Sequence, residues 1–140
     1  MMAFLSVSRA QVRRNFHRLG LLDALDGKIR MVPGYFEESV WRVRERIGPI
    51  AVLRFDGDLY ASTMDILYGL YDKATRPERV STGGWVIIDD WNLWPCQAAV
   101  LEFRHKHAIT APIHNIDGNG VYWIKRDNSS INGILLGNLI

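Results

Sequence analysis

Several things are scarce or missing in this 140-residue chain, and each removes a class of explanation. A single cysteine, Cys96, excludes an internal disulfide and a cysteine-cluster zinc site; within a helical pattern it reads as buried packing. No apolar run reaches the roughly eighteen residues of a membrane span. The start, MMAFLSVSRAQVRR, has too short an apolar stretch for a secretory signal. A cytoplasmic protein with no membrane partner is expected. No glycine-rich turn leads from a strand into a helix, since Gly83-Gly84 opens a strand instead, so a loop for cradling phosphates is not encoded. Charge of one sign is not in excess either: the net charge is +2.

What is present is one domain's worth of ordinary globular sequence. Its charge is uneven, with nine Lys/Arg against five Asp/Glu in residues 1–48 and eight against ten in residues 49–140. The acidic part holds the two most informative stretches. Ile50–Asp58, IAVLRFDGD, and Gly83–Asp90, GGWVIIDD, are short β-branched runs that read as buried parallel strands, each ending in carboxylates. Tyr60–Tyr71 between them reads as a helix with a Tyr60, Met64, Leu67, Tyr71 stripe, followed by the breaker-rich loop DKATRPERVSTGG. Strand, helix and strand at this spacing make a right-handed βαβ unit, so both aspartate-tipped ends point the same way. In an open α/β sheet the ligand crevice lies outside those ends. Asp56, Asp58, Asp89 and Asp90 are therefore candidates to surround one hard cation, because gathered carboxylates repel and a divalent ion relieves them. An aspartate after a strand also serves as a turn former or helix cap, so any single one has a structural alternative.

The remaining elements follow from periodicity. Ser8–Leu19 predicts a helix with Ser8 as N-cap, Val12, Phe16 and Leu19 on one face, and Gly20 closing it. Its Arg9, Arg13, Arg14, His17 and Arg18 suit a solvated surface better than a nucleic-acid interface, since neither a set of aromatic residues on their face nor a recognisable binding fold accompanies them. Lys28–Val32 predicts a short strand stopped by Pro33-Gly34, and Glu37–Ile47 a helix with Phe36, Val40, Val43 and Ile47 inward. Beyond the double aspartate lies an aromatic loop, Trp91–Pro95, then a helix over Cys96–His107 whose Ala99, Val100, Phe103 and His107 make the buried side. Ile113–Ile116 and Val121–Lys125 flank DGNG, a strong antiparallel hairpin signal. Tyr60, Trp91 and Trp94 are candidates to line an acceptor pocket, with core packing as the alternative. His17, His105, His107 and His114 read as structural or surface residues.

In order along the chain, VRRNFHRLGLLD, IRMVPGYFEESV, IAVLRFDGDLYASTMDILYGLY, GGWVIIDDW, AAVLEFRHKH and PIHNIDGNGVYW resemble the macrocin O-methyltransferase family. The resemblance covers residues 8–126, and the LRxDGDxYxST and GGxxIxDD blocks carry it. It implies a metal- and S-adenosylmethionine-dependent transfer of a methyl group to a sugar hydroxyl of a natural product. The family's Mg2+ would fall to Asp56, Asp89 and Asp90, with Asp56 also as general base and Asp58 capping the next helix. Two departures stand out. Ala61 replaces the glutamate usual between the tyrosine and Ser-Thr, and the family's glycine-rich cofactor loop has no counterpart. The expected fold is thus α/β, the C-terminal portion of a class I methyltransferase (Rossmann-like) sheet, mostly parallel with an antiparallel C-terminal hairpin. Its first two strands, which would lie between the Lys28 and Ile50 strands, are expected to be lacking. Residues 1–126 would form a partial methyltransferase domain and 127–140 an atypical tail. Such a chain is expected to be inactive alone and to self-associate or join a complementing N-terminal polypeptide. The alternative is a non-catalytic binding or assembly module derived from the same fold.

Overall fold

The computed structural model describes residues 7–21, 27–73 and 83–125. The elements run α1 (Arg9–Arg18), α2 (Phe36–Arg44), β1 (Val52–Phe55), α3 (Tyr60–Leu70), β2 (Trp85–Ile88), α4 (Trp94–Lys106), β3 (His114–Asn115) and β4 (Val121–Ile124). The sheet order is β1-β2-β4-β3, with β1 parallel to β2, and β4 antiparallel to both β2 and β3. Among the described residues one strand pairing of three is parallel, so the sheet is mixed and the expectation of a mostly parallel one is corrected. The cause is local. The α3 crossover returns the chain parallel to β1, whereas the DGNG turn reverses it and sets β4 against β2.

Alternation along the strands shows which face is covered. Leu53, Phe55, Val86, Ile88, Val121 and Trp123 are buried beneath α3 and α4, which add Ile66, Leu67, Cys96, Val100 and Phe103. Each large side chain removed from water in this layer stabilises by about 1.5–3 kcal/mol. On the opposite face Val52 and Trp85 stay exposed, and an aromatic row crosses the strands, Trp85 to Tyr122 at 4.9 Å and Tyr122 to His114 at 5.0 Å. β1 and β2 are therefore buried on one side, not on both as their apolar runs suggested.

Cys96 is fully buried, as expected of a packing residue. Ser8 caps α1 by accepting from the Gln11 N–H at 3.2 Å, and Gly20 closes it at φ +67°. The apolar stripe of α1 has no fully buried residue, however, and Leu19 is 65% exposed. Lys28–Val32 forms no strand and is turn and irregular backbone. A run that short holds an extended form only against a bonded neighbour, and its residues pair with none of the four strands. In α3 the inward residues are Thr63, Ile66, Leu67 and Gly69, with Tyr71 just beyond, while Tyr60 faces out. In α4 the inward set is Cys96, Ala99, Val100, Phe103 and Arg104. His107 is exposed there and packs on the Phe103 ring at 4.3 Å. The tail 127–140 lies outside the described residues.

Candidate metal centre

The ends of β1 and β2 stand side by side because Phe55 is in register with Ile88, and the ladder continues through the Asp89 N–H to the Phe55 carbonyl at 3.1 Å. Directly beyond lie Asp56-Gly57-Asp58 and Asp89-Asp90. Asp58 adopts φ +51°, a left-handed conformation that aspartate tolerates better than most residues. The Asp58 N–H then donates to Asp90 Oδ2 at 3.1 Å, joining the two strand ends. One carboxylate oxygen each from Asp56, Asp58 and Asp90 lies within 4.8 Å of the others.

Electrostatics matches this crowding. Burial pushes the Asp56 carboxyl above its ordinary value, and hydrogen bonding and repulsion from Asp90, then repulsion from Asp89 and Asp58, add to it. Asp58 is likewise raised, by burial first and then by the Asp90 charge. All three carboxylates offer hard oxygen donors, and two of them hold a proton more tightly than usual because of partial burial and the neighbouring Asp90. That donor set fits Mg2+ or Mn2+ better than a soft or nitrogen-preferring ion.

Asp89, expected as a ligand, is elsewhere in this conformation. Its Oδ2 accepts from Arg54 Nη2 at 2.6 Å. Asp58, expected to cap α3, does not: the N-cap is Leu59 and no side chain bonds there. The signal was in the spacing, since Asp58 stands one position too early to cap a helix that begins at Tyr60. Beneath the turn, Thr63 is fully buried, and its Oγ1 lies near the Cys96 thiol without a hydrogen bond of normal geometry. Burial raises that thiol, the Thr63 hydroxyl opposes the rise, and the Asp90, Asp58 and Asp56 charges reinforce it. The floor under the carboxylates is therefore neutral, made of the Cys96 thiol and the Thr63 hydroxyl over the apolar core.

A cleft of about 400 Å³ opens on one side of the cluster, lined by Asp89, Asp90, Asn92, Leu93, Asp117 and Asn119. None of the three aromatic residues expected at an acceptor pocket lines it. Tyr60 donates its hydroxyl to Glu102 Oε2 at 2.6 Å, Trp91 packs against the core, and Trp94 is 73% exposed. Asn92, Asp117 and Asn119 escaped the sequence reading because polar residues of a loop or hairpin turn look alike whether or not they face a cleft.

The model of the family Macrocin-O-methyltransferase (TylF) matches residues 1–125. The chain belongs to the macrocin O-methyltransferase family. Among curated members it is 44% identical over 119 residues to the 8-demethyl-8-(2,3-dimethoxy-alpha-L-rhamnosyl)-tetracenomycin-C 4'-O-methyltransferase of Streptomyces olivaceus. It is 45% identical over 120 residues to the demethyldecarbamoylnovobiocin O-methyltransferase of Streptomyces niveus, and 44% identical over 120 residues to the mycinamicin III 3''-O-methyltransferase of Micromonospora griseorubida. Each alignment takes in 85% of this chain but only 41–42% of the relative, so the chain spans about two fifths of their length and resembles a C-terminal part. Among solved structures, the O-methyltransferase NovP superposes with a TM-score of 0.74 at 44% identity, over 86% of this chain and 46% of NovP. CalS11, a TDP-rhamnose 3'-O-methyltransferase from calicheamicin biosynthesis, shares the fold, with a TM-score of 0.62 at 20% identity, over 87% of this chain and 55% of CalS11. Membership of the macrocin O-methyltransferase family implies S-adenosylmethionine as the methyl donor. The described residues of this member do not fit that molecule. The turn from β1 into α3 holds a single glycine, Gly57, between two aspartates, and Gly83-Gly84 runs into β2, so neither makes a glycine-rich turn at a helix start.

Proposed function

We propose that this chain is the metal- and acceptor-binding part of a sugar O-methyltransferase of natural-product biosynthesis. One observation carries the reading: three carboxylates from the C-terminal ends of two adjacent parallel strands converge beside a polar cleft, in a member of a sugar-methylating family. Asp56 and Asp90 are the carboxylates common to the ligand set expected from sequence and to the observed cluster, which supports them as the first two ligands. Asp58 completes the trio in this geometry, while Asp89 is held aside by Arg54. A divalent cation bound there supplies positive charge that lowers the pKa of an adjoining sugar hydroxyl.

The chain's own residues do the rest. Asp56 is the candidate proton acceptor, held at the end of a sheet strand close to Asp90, which lines the cleft. The β1–β2 ladder fixes the distance between the two ligand loops, so the donors are in place before the ion arrives and little ordering is needed on binding. The neutral floor made by Cys96, Thr63 and the core keeps water from beneath. Methyl transfer itself needs a cofactor pocket that these residues do not form. In this reading that pocket comes from a complementing N-terminal polypeptide or from a second copy of the chain.

Calorimetry with Mg2+ and Mn2+ tests the reading. Binding to the full chain is expected, lost in Asp90→Asn and in Asp56→Asn. Asp58→Asn is expected to weaken binding more than Asp89→Asn, and the reverse order would restore Asp89 as the third ligand. If neither ion binds the wild-type chain, with or without a supplied N-terminal half, the catalytic reading falls and a non-catalytic assembly role takes its place.

A further inference from the structure

Beside the carboxylates, the cleft is closed by a contact between two loops that are far apart in sequence. Asn92 lies just past β2, and Asn119 lies in the β3–β4 turn; the Asn92 side-chain N–H donates to Asn119 Oδ1 at 3.0 Å. An amide has one acceptor and two N–H donors. Once that bond is made, the Asn92 Oδ1 acceptor and the Asn119 Nδ2 donors take no partner among the described residues, and both asparagines line the cleft with Asp89, Asp90 and Asp117. An acceptor and a donor side by side are what one hydroxyl needs in order to donate and accept at once.

The platform is built rather than incidental. Asp117 Oδ1 accepts from the Asn119 N–H at 3.0 Å and the Gly120 N–H at 2.8 Å, and Asn115 Oδ1 accepts from the Gly118 N–H at 2.8 Å. These bonds hold the turn in the shape that presents Asn119. On the other side Leu93 anchors the loop, its N–H bonded to the Asp90 carbonyl at 3.0 Å, so Asn92 sits between two residues tied together.

We infer that Asn92 and Asn119 form the acceptor-specificity element, reading a pyranoside hydroxyl next to the one that lies at the carboxylate cluster. The inference rests on the proposed function for the identity of the acceptor as a sugar. It shifts the expected recognition residues from the aromatic side chains Tyr60, Trp91 and Trp94 to an amide pair on the hairpin side. Discrimination then comes from a hydrogen-bonding pair left unfilled by an analogue that lacks the hydroxyl. Because both asparagines are exposed, the effect is smaller than at a buried site.

The test uses the full chain, Mn2+ and methyl α-L-rhamnopyranoside as probe, with the 4-deoxy glycoside as its comparison. Sugar binding is followed by ligand-observed NMR with and without Mn2+, and Mn2+ binding separately by calorimetry. Asn92→Ala and Asn119→Ala are each expected to weaken sugar binding about fivefold to tenfold, leaving the Mn2+ affinity unchanged. Wild-type protein is expected to favour the parent glycoside over the 4-deoxy one, and the two variants to lose that preference. Equal binding by wild type and variants, or Mn2+ binding with no sugar binding at all, overturns the inference. Asparagine-dependent sugar binding without any Mn2+ binding leaves it standing while the metal reading falls, and loss of both in wild type removes the two together.

Discussion

Asp56 is the residue on which the proposed chemistry turns. Its carboxyl is raised by burial and by Asp90, which means that at neutral pH the ionised cluster works against the folded state. Removing one charge relieves that repulsion without disturbing a buried contact, since Asp56 as a whole is exposed and its carboxyl is only slightly desolvated. Asp56→Asn is therefore expected to stabilise the metal-free chain by a few tenths of a kcal/mol to about 1 kcal/mol, seen as a slightly higher Tm, and to abolish the further rise in Tm expected from Mg2+ in the wild type. Thermal denaturation with and without the ion measures both. An unchanged Mg2+ response in the variant would remove Asp56 from the ligand set. Asp117 is the opposite case. The Gly120 and Asn119 amides hold its carboxyl below the ordinary value of 3.8. A depressed carboxylate contributes its stability above that ordinary value and loses it as pH falls through the folded-state one. Exchange protection of the Gly120 amide should accordingly drop on acidification below pH 3.8, and that pH dependence should vanish in Asp117→Asn.

Residue by residue, the sequence disclosed the candidate ligands because carboxylates after β-branched runs have a fixed place in an α/β sheet. Asp56 and Asp90 were readable on that ground alone. It did not disclose that Asp58 turns inward and Asp89 outward. That difference is decided by the positive φ at Asp58 and by Arg54, two positions before Asp56 on the outer face of β1. Neither the turn conformation nor a cross-strand ion pair has a periodicity to read.

Elements were more legible than their faces. All three longer helices and the hairpin fall where apolar spacing and DGNG put them, yet α3 rotates from its expected stripe. Its contact with α2 explains why. A Cβ at Gly69 would come within 2.1 Å of Val40 Cγ1, so the two helices approach through a gap that only glycine leaves, and this draws Ile66 and Thr63 inward at the expense of Tyr60. Gly69→Ala gains up to about 1 kcal/mol in helix propensity but forces that Val40 contact apart, at a cost of about 1–3 kcal/mol. Net destabilisation is expected in urea denaturation, and Val40→Ala in the same chain should recover much of it. A stabilised Gly69→Ala single variant would mean that α2 and α3 are not packed this way. Arg44 reinforces the same junction by bonding both the Gly69 carbonyl and the Asp72 carboxylate. Burial would raise Asp72, but the Arg44 hydrogen bond and charge outweigh it and lower the group.

At the scale of the whole molecule, the described residues cover the sheet on one side only. Parallel α/β sheets bury both faces, because their strands carry apolar side chains both up and down. Here the second face shows Val52 at 54% and Trp85 at 43% exposure, beside Tyr122 and His114, and β1 is an edge strand among the described residues. An open edge next to an apolar face pairs readily with another chain. The amphipathic α1 has no fully buried residue, and its Val12 and Phe16 are only partly covered, so it adds apolar surface. Light scattering after size exclusion should therefore give a mass above 16.0 kDa that rises with concentration. Trp85→Ser together with Val52→Lys should shift the chain toward 16.0 kDa while leaving the far-UV circular dichroism unchanged, because neither side chain belongs to the buried layer. Those substitutions lie on the face of the sheet away from α3 and α4, so calorimetric Mg2+ binding should survive in the dissociated chain. Loss of the ion together with the assembly would mean that the metal centre is completed across the contact instead of within one β1–β2 pair.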